Sequence, residues 1–94
     1  MALIDNAKLA LRIRTGAYDS EIADLIDAAK QDLHIAGVVL PAELDKVCER
    51  AIITYVKLHF GDLNKDDAER LQASYDAQKG MLANASGYTN WGDV

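Results

Sequence analysis

Ile22, Leu25, Ile26, Ala29, Leu33 and Ala36 fall at positions i, i+3, i+4, i+7, i+11 and i+14. That spacing gathers six apolar side chains on one side of a helix, and no strand can do the same, because successive strand residues point to opposite faces. Asp24, Asp27, Gln31 and His34 lie largely off the stripe. Asp19 stands where an N-cap is expected, Glu21 suits the first turn, and Gly37 suits the C′ position. The spacing therefore predicts an amphipathic helix over about 20–36.

Arg14-Thr-Gly-Ala17, Gly37-Val-Val-Leu-Pro41 and Gly61-Asp-Leu-Asn64 punctuate the rest of the chain, and the apolar residues between them also recur at helical spacing. A first helix is expected over about 6–13, capped by Asp5, with Ile4 and Leu9 as a hydrophobic staple. Leu3, Ala7, Ala10 and Leu11 would supply its buried side. A third helix is expected over about 41–60, with Pro41 at its first position. From Ala51 to Phe60 its apolar residues run almost all round, interrupted by Thr54, Lys57 and His59, which predicts a central helix covered on several sides. A fourth is expected over about 65–83. Asn64 is its N-cap, Asp66, Asp67 and Glu69 suit its first turn, and Leu71, Tyr75, Gln78 and Leu82 line one face. Gly80 is a point where it can end or bend, since an interior Gly costs about 1 kcal/mol relative to Ala. Residues 84–94 read as a flexible tail. No strand alternation and no internal repeat interrupt this pattern. The expectation is an all-α bundle of four helices in one domain over residues 1–94, with the long third helix at the centre.

A 94-residue chain buries only about two-thirds of its unfolded surface, so cover from another subunit is a natural supplement. The single cysteine, Cys48, leaves no disulfide framework within the chain and no cysteine-based zinc site. No apolar run approaches the roughly 18 residues of a membrane span, and the N-terminal residues hold no charge-free apolar block of a secretory signal. A small soluble intracellular domain is expected, with no membrane partner. A net charge of −5 argues against a general nucleic-acid binder.

Catalytic, cofactor and metal candidates are thin. Cys48 lies among Leu44, Val47, Ala51 and Ile52, where a thiol behaves as a small inert hydrophobe. His34 and His59 each lack a second ligand at i+3 or i+4, and packing or a helix-end contact suits them better. Asp62, Asn64 and Asp66 have the first three spacings of a calcium loop. Asp67 then stands where the sharp turn needs Gly, and Ala73 where a bidentate Glu is needed. Helix capping explains the same residues. Glu21, Asp24 and Asp27 form an acidic row off the apolar stripe, which suits a solvated face rather than a pair of catalytic carboxylates. The expectation is no enzyme, no cofactor and no metal.

Charge is distributed unevenly. Residues 1–18 carry Lys8, Arg12 and Arg14 against Asp5, a balance of +2, whereas residues 19–45 carry seven acids against Lys30, a balance of −6. Adjacent patches of opposite sign suit head-to-tail contacts between copies, which close into rings when the rotation permits. Ordinary surface variation gives the same pattern. In the tail, Tyr88 and Trp91 can pack back on their own domain or anchor in a partner.

The order of the segments is itself informative. Leu9-Ala-Leu-Arg-Ile13 is followed by Tyr18-Asp-Ser-Glu-Ile-Ala-Asp-Leu-Ile-Asp-Ala-Ala-Lys-Gln-Asp-Leu33 and Ala36-Gly-Val38. Then come Ala51-Ile-Ile-Thr-Tyr-Val-Lys-Leu-His-Phe-Gly61 and Glu69-Arg-Leu-Gln-Ala-Ser-Tyr75 with Lys79 and Leu82. From about Leu9 to Leu82 this resembles the small head–tail connector proteins of tailed phages and prophages, also called head-completion or DNA-packaging adaptor proteins. The resemblance implies a non-enzymatic helical protein that forms a homo-oligomeric ring. Such a ring docks on the portal, extends the DNA channel and offers a platform to the next head-completion or tail protein. It implies a place at the head–tail junction of the virion, and in the host cytoplasm during assembly. It makes Lys8, Arg12 and Arg14, with Asp24 and Asp27, candidates for subunit contacts, and Tyr88 and Trp91 candidates for partner docking. An acidic lumen would let DNA slide through without sequence-specific binding. A small regulatory or antitoxin-like module, monomeric or a twofold dimer, is the competing expectation. A DNA-binding domain is disfavoured, since only Lys46, Arg50 and Lys57 approach a basic helix face.

Overall fold

The computed structural model describes residues 3–40, 45–60 and 63–84. Among these residues the chain is helical throughout its ordered elements, in the order α1 (Leu3–Leu11), α2 (Asp19–Ile35), α3 (Lys46–His59) and α4 (Lys65–Asn84). The all-α expectation holds. Helix α3 packs against each of the other three, and α1 also packs against α2. Cys48, Ala51, Ile52 and Val56 on α3 are buried, with Ile53 and Tyr55 half-buried around them. The almost uninterrupted apolar wording of this helix thus reflects its central place.

Helix α2 buries Ile22, Ile26, Ala29 and Leu33 on the predicted stripe. It ends as Gly37 predicts. Gly37 has φ +95°, its N–H donates to the His34 carbonyl at 3.0 Å, and the Val38 N–H donates to the Leu33 carbonyl at 2.9 Å. This is a Schellman closure, and Leu33 and Val38 meet in the core beneath it. Ala36, the last position of the expected stripe, is exposed because it lies in this closure.

The helix starts differ from the expectation in three places. Asp19 does not cap α2. Tyr18 holds that position without a side-chain cap, and the Asp19 carboxylate pairs instead with Lys8 at 2.8 Å, tying α2 to α1. Helix α1 begins at Leu3, which puts Asp5 inside its first turn, so the Ile4–Leu9 staple does not form and Leu9 is 71% exposed. Ala10 is exposed as well. Helix α3 begins at Lys46 rather than Pro41. Asp45 is extended (φ −82°, ψ 176°), and its Oδ1 accepts from the Cys48 N–H at 2.9 Å. Pro41 itself lies outside the described residues.

Asn64 caps α4 as expected. Its Oδ1 accepts from the Asp67 N–H at 2.8 Å, its amide donates to Asp67 Oδ2 at 3.1 Å, and Arg70 donates to Asp67 Oδ1 at 2.9 Å. Gly80 neither ends nor visibly interrupts α4, which runs on to Asn84 with Tyr75 and Leu82 buried on either side of it. Two anchored side chains offset the cost of one glycine. The expected tail beyond Asn84 lies outside the described residues.

Candidate functional site

Helix α1 closes in the same way as α2 but without a glycine. The Arg12 N–H donates to the Leu9 carbonyl at 3.1 Å and the Ile13 N–H to the Lys8 carbonyl at 2.9 Å, with Arg12 at φ 60°. A side chain in this left-handed conformation costs roughly 1–2 kcal/mol, which glycine avoids. Arg12 is exposed, so no core contact repays the cost. Arg12→Gly is accordingly expected to stabilise the isolated domain by about 1 kcal/mol, raising its thermal midpoint by about 4–8 °C in a chain of this size. An unchanged or lower midpoint would contradict the reading of Arg12 as strained.

The structure separates the five charged candidates into two groups. Lys8 is largely covered and is engaged within the chain by Asp19. Arg12, Arg14, Asp24 and Asp27 are exposed, and none forms an ion pair among the described residues. Arg12 and Arg14 follow the end of α1, and Asp24 and Asp27 sit one turn apart on the solvent side of α2. Tyr18 packs edge-on against Phe60, with ring centroids 5.6 Å apart, pinning the α1–α2 connection to the end of α3. The basic patch is therefore held on a braced turn. Tyr88 and Trp91 lie outside the described residues.

The remaining titratable candidates have structural settings. Cys48 is fully buried, and burial first, then the neighbouring Asp45, pushes its thiol up to about 11. It is protonated at neutral pH and is no nucleophile there. His34 is exposed in the last turn of α2, where an imidazole faces the negative end of the helix dipole. His59 is exposed against the Tyr55 ring at 4.2 Å. No cluster of three His, Cys, Asp or Glu side chains suited to a metal occurs among the described residues.

Sequence reasoning missed one polar constellation. The Tyr75 hydroxyl donates to Asp32 Oδ2 at 2.6 Å, and Lys79 Nζ reaches the same oxygen at 3.3 Å. Tyr75 is 2% exposed; its ring meets Tyr55 edge-on at 5.3 Å and lies 5.2 Å from Lys79 Nζ. The Tyr75 hydrogen bond holds the Asp32 carboxyl below its ordinary range, Lys79 adding to the effect. Burial, followed by the Asp32 contact, pushes the Tyr75 phenol well above its ordinary value. This clamp joins α2 to α4 across the face of α3. The only local signal is the Tyr75–Lys79 spacing on one helix face; the choice of Asp32, 43 positions away, is tertiary.

Among the described residues, packing and capping contacts account for most of the polar side chains, and the exposed charges of Arg12, Arg14, Asp24 and Asp27 form no ion pair. The family described as Phage connector protein matches the chain over residues 3–89, and the chain belongs to that family. No curated protein and no solved structure matches it. Membership gives it a structural role as a connector in the phage particle. No helix among the described residues is long and apolar enough to cross a membrane.

Proposed function

We propose that the protein forms a homo-oligomeric ring at the head–tail junction, docking on the portal, extending the DNA channel and presenting a platform to a downstream head-completion or tail protein. The observation that carries the reading is the family match over nearly the whole chain. It acts by geometry, with neither catalysis nor a cofactor. DNA passes through the ring without sequence-specific binding, a role for which an acidic chain is suited because it repels phosphates. The subunits assemble in the host cytoplasm and stay in the virion. Tyr88 and Trp91 dock the portal or tail partner.

In this reading Arg12 and Arg14 of one copy meet Asp24 and Asp27 of the next. Strain kept at an exposed residue is a mark of function, and Arg12 carries such strain on a cation with no partner of its own. Lys8 serves the contact indirectly, by holding α1 on α2 through Asp19. Leu9, exposed beside these cations, adds apolar area.

Charge reversal tests the interface. Like charges brought together across a contact cost several kcal/mol, and each 1.4 kcal/mol is about tenfold in affinity. Asp24→Lys with Asp27→Lys, or Arg12→Glu with Arg14→Glu, is expected to raise the assembly concentration at least about tenfold. A chain carrying all four reversals is expected to assemble again. If both patches reverse without effect, the ring is built on other faces.

A further inference from the structure

Helices α3 and α4 present two surfaces of opposite charge, one at each end of the pair. Where α3 finishes, Leu58, Ala68 and Ala73 line a shallow groove of about 440 Å³ together with Glu69, Gln72 and Asp76. Its described lining thus holds two carboxylates and no cation. Asp76 accepts a hydrogen bond from the Gln72 amide at 2.9 Å and forms no ion pair among the described residues. Glu69 meets Lys65 only at 4.0 Å, on open surface. Where α3 begins, Val47 and Met81 are 38% and 57% exposed and share a surface with Arg50. Arg50 is exposed too, and it forms no ion pair among the described residues.

Each surface lacks what the other has. Apolar side chains stand on both, but one adds acids without a close cation and the other a cation without an acid. Met and Arg are also over-represented in protein interfaces. The two surfaces do not meet within one chain, because Val47 and Leu58 lie about 16 Å apart along α3 at the helical rise. Nor does either suit its own like in a second copy, where carboxylate would face carboxylate and guanidinium would face guanidinium. The pairing that matches both charge and apolar area joins different surfaces of two copies. Such a contact is heterologous, and it propagates from copy to copy until it closes.

We propose that the acidic groove beside Leu58 receives the Val47–Arg50–Met81 surface of a second copy, with Arg50 set against Glu69 and Asp76. The proposal rests on the ring reading and gives the ring a second contact, on α3 and α4. Cysteine pairs test it, since the native Cys48 is fully buried and does not compete. A chain carrying both Val47→Cys and Ala73→Cys, treated with a short thiol crosslinker under assembling conditions, is expected to give a ladder beyond the dimer. Chains with either substitution alone should give no crosslink, and their mixture only a dimer. Ile35→Cys, at an exposed site on α2, should give no ladder when combined with Ala73→Cys. Arg50→Glu is expected to raise the assembly concentration about tenfold with helicity by circular dichroism unchanged, and adding Glu69→Arg and Asp76→Arg to restore it. Oligomers seen by native mass spectrometry that yield no ladder overturn this contact and leave the ring standing, as does assembly indifferent to Arg50→Glu. A product of the doubly substituted chain that stops at the dimer overturns it as well, because the contact is then twofold. A protein that stays monomeric with and without portal removes both readings.

Discussion

Ile52→Ala is expected to cost about 2–5 kcal/mol, the range for truncating a buried isoleucine and leaving a partly unrelaxed cavity. Ile52 is fully buried on α3, the helix that packs against the other three, so the cavity opens in the core of the domain. Domains of this size have only about 5–15 kcal/mol in total. The substitution therefore removes a large share of the stability, and thermal unfolding followed by circular dichroism should show a midpoint lower by about 10 °C or more. Ile35→Ala is the matched comparison. Ile35 is 75% exposed, and its truncation should stay within about 0.5 kcal/mol of the parent. Equal effects at the two positions would mean that α3 is not the centre of the domain.

Tyr75→Phe should cost about 1.5–3 kcal/mol, the range for a hydrogen bond to a charged group. The low end is favoured, because Asp32 retains Lys79 and enough exposure to regain water when the hydroxyl is removed. The phenylalanine ring keeps the contacts with Tyr55 and Lys79, so the substitution isolates the hydroxyl. Its pH signature has two limbs. Tyr75 has a raised folded pKa, so its contribution is complete below the unfolded value of about 10 and is lost as pH rises above it. Asp32 has a lowered folded pKa, so its contribution is complete above the unfolded value of about 3.9 and is lost as pH falls through the folded one. Denaturant unfolding at several pH values should show the parent losing stability above about pH 10, with a shallower slope in Tyr75→Phe. Parallel slopes would contradict the clamp.

The readable parts of this fold were those governed by local repetition. Six apolar residues at helical spacing marked α2, Gly37 marked its end, and Asn64 marked the start of α4, because stripe, left-handed turn and cap are each set within a few residues. The misplaced boundaries arose where a local signal was overridden by a contact made elsewhere. Pro41 suggested the start of the third helix, but Asp45 is extended and caps α3 through the Cys48 N–H, so that helix begins at Lys46. Asp19 has the chemistry of a cap, but Lys8 of α1 took its carboxylate, a choice made across helices. The Asp32–Tyr75–Lys79 clamp and the left-handed Arg12 had almost no local signature. One joins residues 43 positions apart, and the other sets an arginine where glycine is the favoured residue. The order of ordinary helical segments, by contrast, pointed to the connector family that the match over residues 3–89 establishes. Which of the exposed charges would face a neighbouring copy in the proposed ring is written in no single segment, because an interface is a property of two surfaces.

Native mass spectrometry of the purified protein across a wide concentration range, alone and with portal added, tests the central claim most directly. The ring reading predicts one closed high-order oligomer, formed by the protein alone or with portal as template. A discrete dimer that never grows, with or without portal, would contradict the ring and favour a small regulatory module.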